Sequence, residues 1–194
     1  MFYGLYKDLR NGAWQCLLTS KAASLPIDVL TIAKKAGIRV VKNSQAAALA
    51  PSESGKTFFD GEEWFIIYDD TLDVSSARYT IAHELGHIFL GHELAHAKYY
   101  GAQEFTKKPK SEQQADMFAV RLLCPACILW ALELHDADDV AAFCKVPHNI
   151  AVQRAKRMEE LYVRNKFLTS ETERKVFESF KDFIDKSRKD MHLH

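Results

Sequence analysis

Apolar positions recur at helical spacing along most of this chain, and period-two or β-branched runs are confined to residues 38–68. Residues 3–19 carry Leu5, Tyr6, Leu9, Ala13 and Leu17 at intervals of one helix face, which predicts an amphipathic helix despite Gly12. Pro26 reads as the opening of a second helix through Ala36, with Gly37 as its C-terminal cap. Ile38-Arg-Val-Val41 is β-branched and reads as a strand. A small-residue loop runs from Ala46 to Gly55. Thr57-Phe-Phe and Trp64-Phe-Ile-Ile-Tyr68 then flank Asp60-Gly61, a hairpin signal. A further helix is expected from about Ser75 to Gly91, with Tyr79, Ala82, Leu85, Gly86 and Phe89 available for packing.

Residues 93–110 lack periodicity and end in a basic cluster, Lys107-Lys-Pro-Lys110. Ser111 and Gln114 have capping-box spacing for a helix that carries Ala115, Phe118, Ala119, Leu122 and Leu123 before Pro125. A short helix is expected over Ile128–Leu134, then a tight pair over Asp138–Cys144 and Pro147–Tyr162. Ser170 and Glu173 form another capping box, ahead of an apolar stripe of Val176, Phe177, Phe180, Phe183 and Ile184. The fold class is α+β: mostly helices around a small sheet.

Composition changes this picture little. The chain has 194 residues, 47% of them hydrophobic, enough for one domain with a real core. Lys+Arg and Asp+Glu are equal at 26 each, so no global field favours nucleic acid, anionic membrane or an acidic substrate. The first ten residues lack the apolar core of a signal peptide, and no apolar run approaches bilayer length. A cytoplasmic protein is expected. Four cysteines are too few and scattered for a disulfide framework. Cys124-Pro-Ala-Cys127 has CxxC spacing but sits in an apolar run, where buried thiols are favoured over redox or metal work.

The chemistry lies in His83-Glu84-Leu-Gly-His87. Residues four apart share a helix face, so both imidazoles can address one ion. Glu84 stands beside that ion as the general base for a bound water, the arrangement of a zinc-dependent peptidase. A catalytic zinc needs a third protein ligand and one open position. His92 would serve only within a His-x-x-Gly-x-x-His extension, and the required positions hold Leu90 and Glu93. Glu112, twenty-five residues beyond His87, opens a helix that can cross the first, and is the expected third ligand. A plain helix N-terminal glutamate favoured by the macrodipole is the alternative. Asp116, one turn further on, is placed to accept a hydrogen bond from a ligand histidine's other ring nitrogen. His92, His96, Tyr99 and Tyr100 are positional candidates for a second electrophile, with no basis for choosing among them.

Arg78-x-Thr-x-Ala-His-Glu-Leu-Gly-His87 with Leu90-Gly-His92 is similar to the core of the ImmA/IrrE metallopeptidases. Glu112-x-x-Ala-Asp-x-Phe-Ala-x-x-Leu-Leu-Cys-Pro125 resembles the same family, with Cys124 where methionine is frequent. Similarity extends upstream over Leu25–Val40 and downstream over Val140–Arg154, although Pro147-His148 replaces an expected serine. The resemblance covers about residues 5–162 and implies a gluzincin-like core. A zincin-like domain is expected over 1–168, with a closing helix pair at 139–162. The segment after Leu168 lies outside the resemblance and is expected as a C-terminal amphipathic helix over 169–194. The resemblance implies zinc on His83, His87 and Glu112 with Glu84 as base. The implied substrates are helix-turn-helix repressors of mobile elements or stress operons. Too few residues precede Pro26 for a helix-turn-helix domain, so the stand-alone type is expected. The pair at 139–162 lacks a basic, aromatic-interleaved face, which argues against direct DNA binding. The alternative function is a non-proteolytic module that keeps the zinc fold and sequesters a transcription factor or antitoxin.

Overall fold

The computed structural model describes residues 3–92 and 109–192, with side chains over 9–92 and 109–191. The side chains of Leu5 and Tyr6 lie outside the described residues, as do His96, Tyr99, Tyr100 and Lys107. The elements in chain order are α1 (Tyr3–Ser20), α2 (Val29–Lys35), β1 (Ile38–Lys42), α3 (Asn43–Ala46), β2 (Gly55–Phe59), β3 (Trp64–Tyr68), α4 (Val74–Phe89), α5 (Lys110–Leu123), α6 (Ala126–Ala131), α7 (Ala137–Cys144), α8 (His148–Val163), α9 (Glu171–Ser179) and α10 (Lys181–His192). The architecture is the expected mostly helical α+β arrangement.

Capping chemistry moves several helix starts. Asp28, rather than Pro26, starts α2, because its carboxylate accepts from the Leu30 and Thr31 amides at 3.0 Å each. Asp73 likewise starts α4, accepting from Ser75 N at 2.9 Å and Ser76 N at 3.1 Å. Ser111 does not cap α5: the helix already runs at Lys110, so the serine lies inside the first turn. Gly37 does terminate α2, at φ +71°.

β2 and β3 form the expected antiparallel hairpin, Phe59 facing Trp64, and Asp60 bridges the turn by accepting from Glu62 N and Glu63 N at 2.9 Å each. β1 joins the other edge of β3 in parallel, giving the order β1-β3-β2. The sheet packs on α4, with β2 against the turn that carries Thr80 and Glu84, so Gly55 and Thr57, two apart and therefore on one strand face, meet that helix.

The core joins Trp14 and Leu17 of α1 to Ile66 of β3, Leu85 of α4, Phe118 and Leu122 of α5 and Leu129 of α6. Lys110–Ala131 is long and apolar enough to cross a membrane by composition, contrary to the sequence expectation, but it is mostly buried in this core. The C-terminal segment is two helices, not one. Ser179 Oγ donates back to Val176 O at 2.8 Å, a local bond that competes with helix continuation. Val176, Phe180 and Ile184 are buried in the main cluster.

Candidate metal centre

α4 and α5 pack along one another, and the helix period turns His83 and His87 of α4 toward Glu112 in the first turn of α5. The Nε2 atoms of the two histidines lie 3.1 Å apart. Glu112 Oε2 is 3.3 Å from His83 Nε2, and Glu112 Oε1 is 3.3 Å from His87 Nε2. One ligand atom from each residue can be chosen with all of them within 4.8 Å of one another. Donors held tetrahedrally at about 2.0–2.1 Å from one ion stand roughly 3.3 Å apart. The triangle therefore has the dimensions a single small cation requires. The set fits a metal.

Both histidines are oriented from behind. Asp116 Oδ1 lies 2.9 Å from His83 Nδ1 and also accepts from the Tyr79 hydroxyl at 2.9 Å. With Asp116 accepting at Nδ1, the His83 Nε2 lone pair faces the triangle. His87 Nδ1 lies 3.2 Å from His92 Nδ1, and His92 Nε2 lies 2.9 Å from Gln114 Oε1. The Gln114 carbonyl accepts from His92 Nε2–H, so His92 Nδ1 can accept from His87 Nδ1–H, leaving His87 Nε2 free for the ion. Gly91, at φ +63°, makes this possible by reversing the chain after α4, and His92 N donates to His87 O at 3.1 Å. His92 thus stands behind a ligand histidine rather than in an electrophile's position.

Glu84 is buried but outside the triangle. Its Oε2 accepts from the Thr57 hydroxyl at 2.6 Å, while Oε1 has no hydrogen-bond partner among the described residues. Gly55 lets β2 come this close: a Cβ there would stand 2.4 Å from Thr80 Cγ2 and 3.2 Å from Glu84 Oε1. Thr57 carries no sequence signal because strand pairing places it. Tyr79 carries one, since it lies four residues before His83 on the same helix face.

Electrostatics tie the donors into an ion cluster. Burial works to lower the His83 imidazole, but hydrogen bonds to Asp116 and Glu112 outweigh it and raise its pKa to about 10. For Glu112 burial acts upward, and the bonds to His83 and His87 carry it well below the usual carboxylate range. Burial, then the His87 charge, lowers His92 and favours its neutral ring.

The cysteines take no part. All four are free, and Cys124, Cys127 and Cys144 are buried. Burial pushes the Cys127 thiol up to about 12. A hydrogen bond with Cys124, then burial, holds Cys144 well above the usual thiol value. Such thiols are protonated and inert.

A family model for the M78 peptidases, described as the IrrE N-terminal-like domain, matches residues 33–156, more than half of the chain and all of the donor triangle. No curated protein matches.

Proposed function

The chain belongs to the M78 peptidase family, with an IrrE N-terminal-like metallopeptidase domain, and from that premise we propose a zinc-dependent endopeptidase whose substrate is a helix-turn-helix repressor. The observation that carries the reading is the donor triangle of His83, His87 and Glu112 with the buried Glu84 carboxylate beside it. Two imidazoles and one carboxylate suit zinc. When bound, zinc lowers the pKa of water from about 15.7 toward about 7 and polarises a carbonyl oxygen.

The remaining work falls to the protein. Thr57 holds one oxygen of Glu84, which leaves Oε1 to take a proton from the attacking water. The same carboxyl then returns that proton to the departing amine. Asp116 and the His92–Gln114 pair fix the two imidazoles, so the ligand set needs no rearrangement to receive the ion. Asp116→Ala is expected to weaken zinc binding about 10–100-fold, measured by competition with a chromogenic chelator. Unchanged affinity would remove Asp116 from this role.

The repressor substrate follows from the resemblance around Arg78–His92 and Glu112–Pro125. We place the reaction in the cytoplasm, without nucleic acid or membrane as partner. Balanced charge and four free cysteines support that placement. The test compares new protein N-termini by mass spectrometry in host cells expressing wild type or Glu84→Gln. A cleavage made by wild type alone, in a DNA-binding repressor, is expected. Identical N-termini from two zinc-loaded proteins would overturn the peptidase reading in favour of sequestration, and cleavage of an unrelated protein would overturn the substrate class.

A further inference from the structure

Tyr79 stands four residues before His83 on α4, and the helix period sets both side chains on the face that meets α5. Their ring centroids are 6.5 Å apart. Both side chains reach the same atom of the facing helix. Asp116 Oδ1 lies 2.9 Å from His83 Nδ1 and accepts from the Tyr79 hydroxyl at 2.9 Å. Each distance is that of an ordinary hydrogen bond, and a carboxylate oxygen has a lone pair for each donor, so the two bonds coexist. The first orients His83. The second acts on Asp116.

A carboxylate does not hold its own plane. The last torsion of an aspartate is broad and two-fold, without the three staggered wells that fix an aliphatic side chain. Two donors arriving at Oδ1 from successive turns of α4 restrain that torsion, because rotation breaks both bonds together. Asp116 is buried, at 4% exposure, so water is poorly placed to replace a lost donor. Tyr79 packs against the main core, which steadies the ring that carries the hydroxyl. The other ligand histidine is supported differently, since His87 is backed by His92 and Gln114. The Tyr79 hydroxyl is also on the wrong side of His83 to meet a substrate carbonyl. It lies behind Nδ1, whereas the donor triangle lies on the Nε2 side, across the ring.

We propose that Tyr79 is a positioning residue of the metal centre: its hydroxyl fixes the Asp116 carboxylate, and through it the His83 ring, in the orientation that receives the ion. The role rests on the metal reading of His83, His87 and Glu112, and Tyr79 contributes no atom to that triangle. The order of restraint is directional. Tyr79 holds Asp116, Asp116 holds His83, and His83 presents Nε2. Deleting the phenol oxygen therefore has an effect only while Asp116 is present. Freeing one side chain that metal binding must then order again should weaken affinity about three- to tenfold, less than the loss of Asp116 itself.

The experiment measures zinc affinity, by competition with a chromogenic chelator, for wild type, Tyr79→Phe, Asp116→Ala and the double variant. The visible spectrum of each cobalt(II)-substituted protein is recorded beside it, as a report on ligand geometry. Phenylalanine keeps the ring and its packing, so Tyr79→Phe should match wild type by circular dichroism. It should nevertheless bind zinc about three- to tenfold more weakly and alter the cobalt spectrum. Added to Asp116→Ala, the same substitution should change neither affinity nor spectrum. That coupling marks action through Asp116, and loss of general packing does not produce it. Equal affinity and an unchanged spectrum in wild type and Tyr79→Phe would overturn the proposal. So would an equal loss in both backgrounds, because the hydroxyl would then act independently of Asp116. A wild-type protein that binds no zinc would overturn the metal reading itself, and this role with it.

Discussion

Glu84→Gln is expected to leave the zinc content of purified protein unchanged while cutting cleavage of the identified substrate by about 10²–10⁴-fold. The geometry separates the two functions. The donor triangle uses one atom each from His83, His87 and Glu112, and Glu84 contributes none. Its side chain instead turns to β2, where the Thr57 hydroxyl donates to Oε2. Glutamine has the same shape, and its carbonyl can accept that hydrogen bond, so the pocket between α4 and β2 stays filled. What glutamine cannot do is take a proton from water and hand it to the leaving amine. Metal analysis by mass spectrometry and single-turnover cleavage measure the two halves independently. Activity within tenfold of wild type would refute Glu84 as the base. Loss of zinc would instead make Glu84 part of the metal's support.

The centre of this site was legible because a helix converts spacing into direction. His83 and His87 had to share a face, and Glu112 and Asp116 had to share another, whatever the exact helix ends. The ends themselves depended on which oxygen reached a free amide: Asp28 starts α2 two residues beyond Pro26, and Asp73 starts α4 just ahead of Ser75. Non-local placement was the harder part. Nothing in the order of residues reveals that β3 lies between β1 and β2, so the Thr57 hydroxyl on Glu84 could not be anticipated.

One small residue connects the packing to the chemistry, and Gly86→Val tests it. Gly86 lies between the two ligand histidines, in the interior of α4, where glycine costs about 1 kcal/mol relative to alanine. The gain is the approach of α5. A Cβ at position 86 would stand 3.1 Å from Ala115 Cα, 3.2 Å from Ala115 O and 3.2 Å from Phe118 Cδ1. The first two are backbone atoms, so relief requires moving the helix rather than turning a side chain. Ala115 adjoins Asp116 and follows Glu112 by less than one turn, so displacing it displaces both acidic residues of the centre. Alanine would set its gain in helix propensity against this contact, and its net effect should be small. Valine adds two further methyl groups with no space to enter, and is expected to cost about 1–3 kcal/mol by overpacking. Thermal unfolding should register about 2–4 °C per kcal/mol in a chain of this size. Zinc affinity should fall as well, by at least about tenfold, because a ligand set held to about 0.5 Å cannot follow a separating helix pair. A Gly86→Val protein with wild-type Tm and wild-type zinc affinity would show that α4 and α5 have slack at this crossing. The 3.1–3.3 Å triangle would then be set by the ligands' own hydrogen bonds rather than by the backbone beneath them.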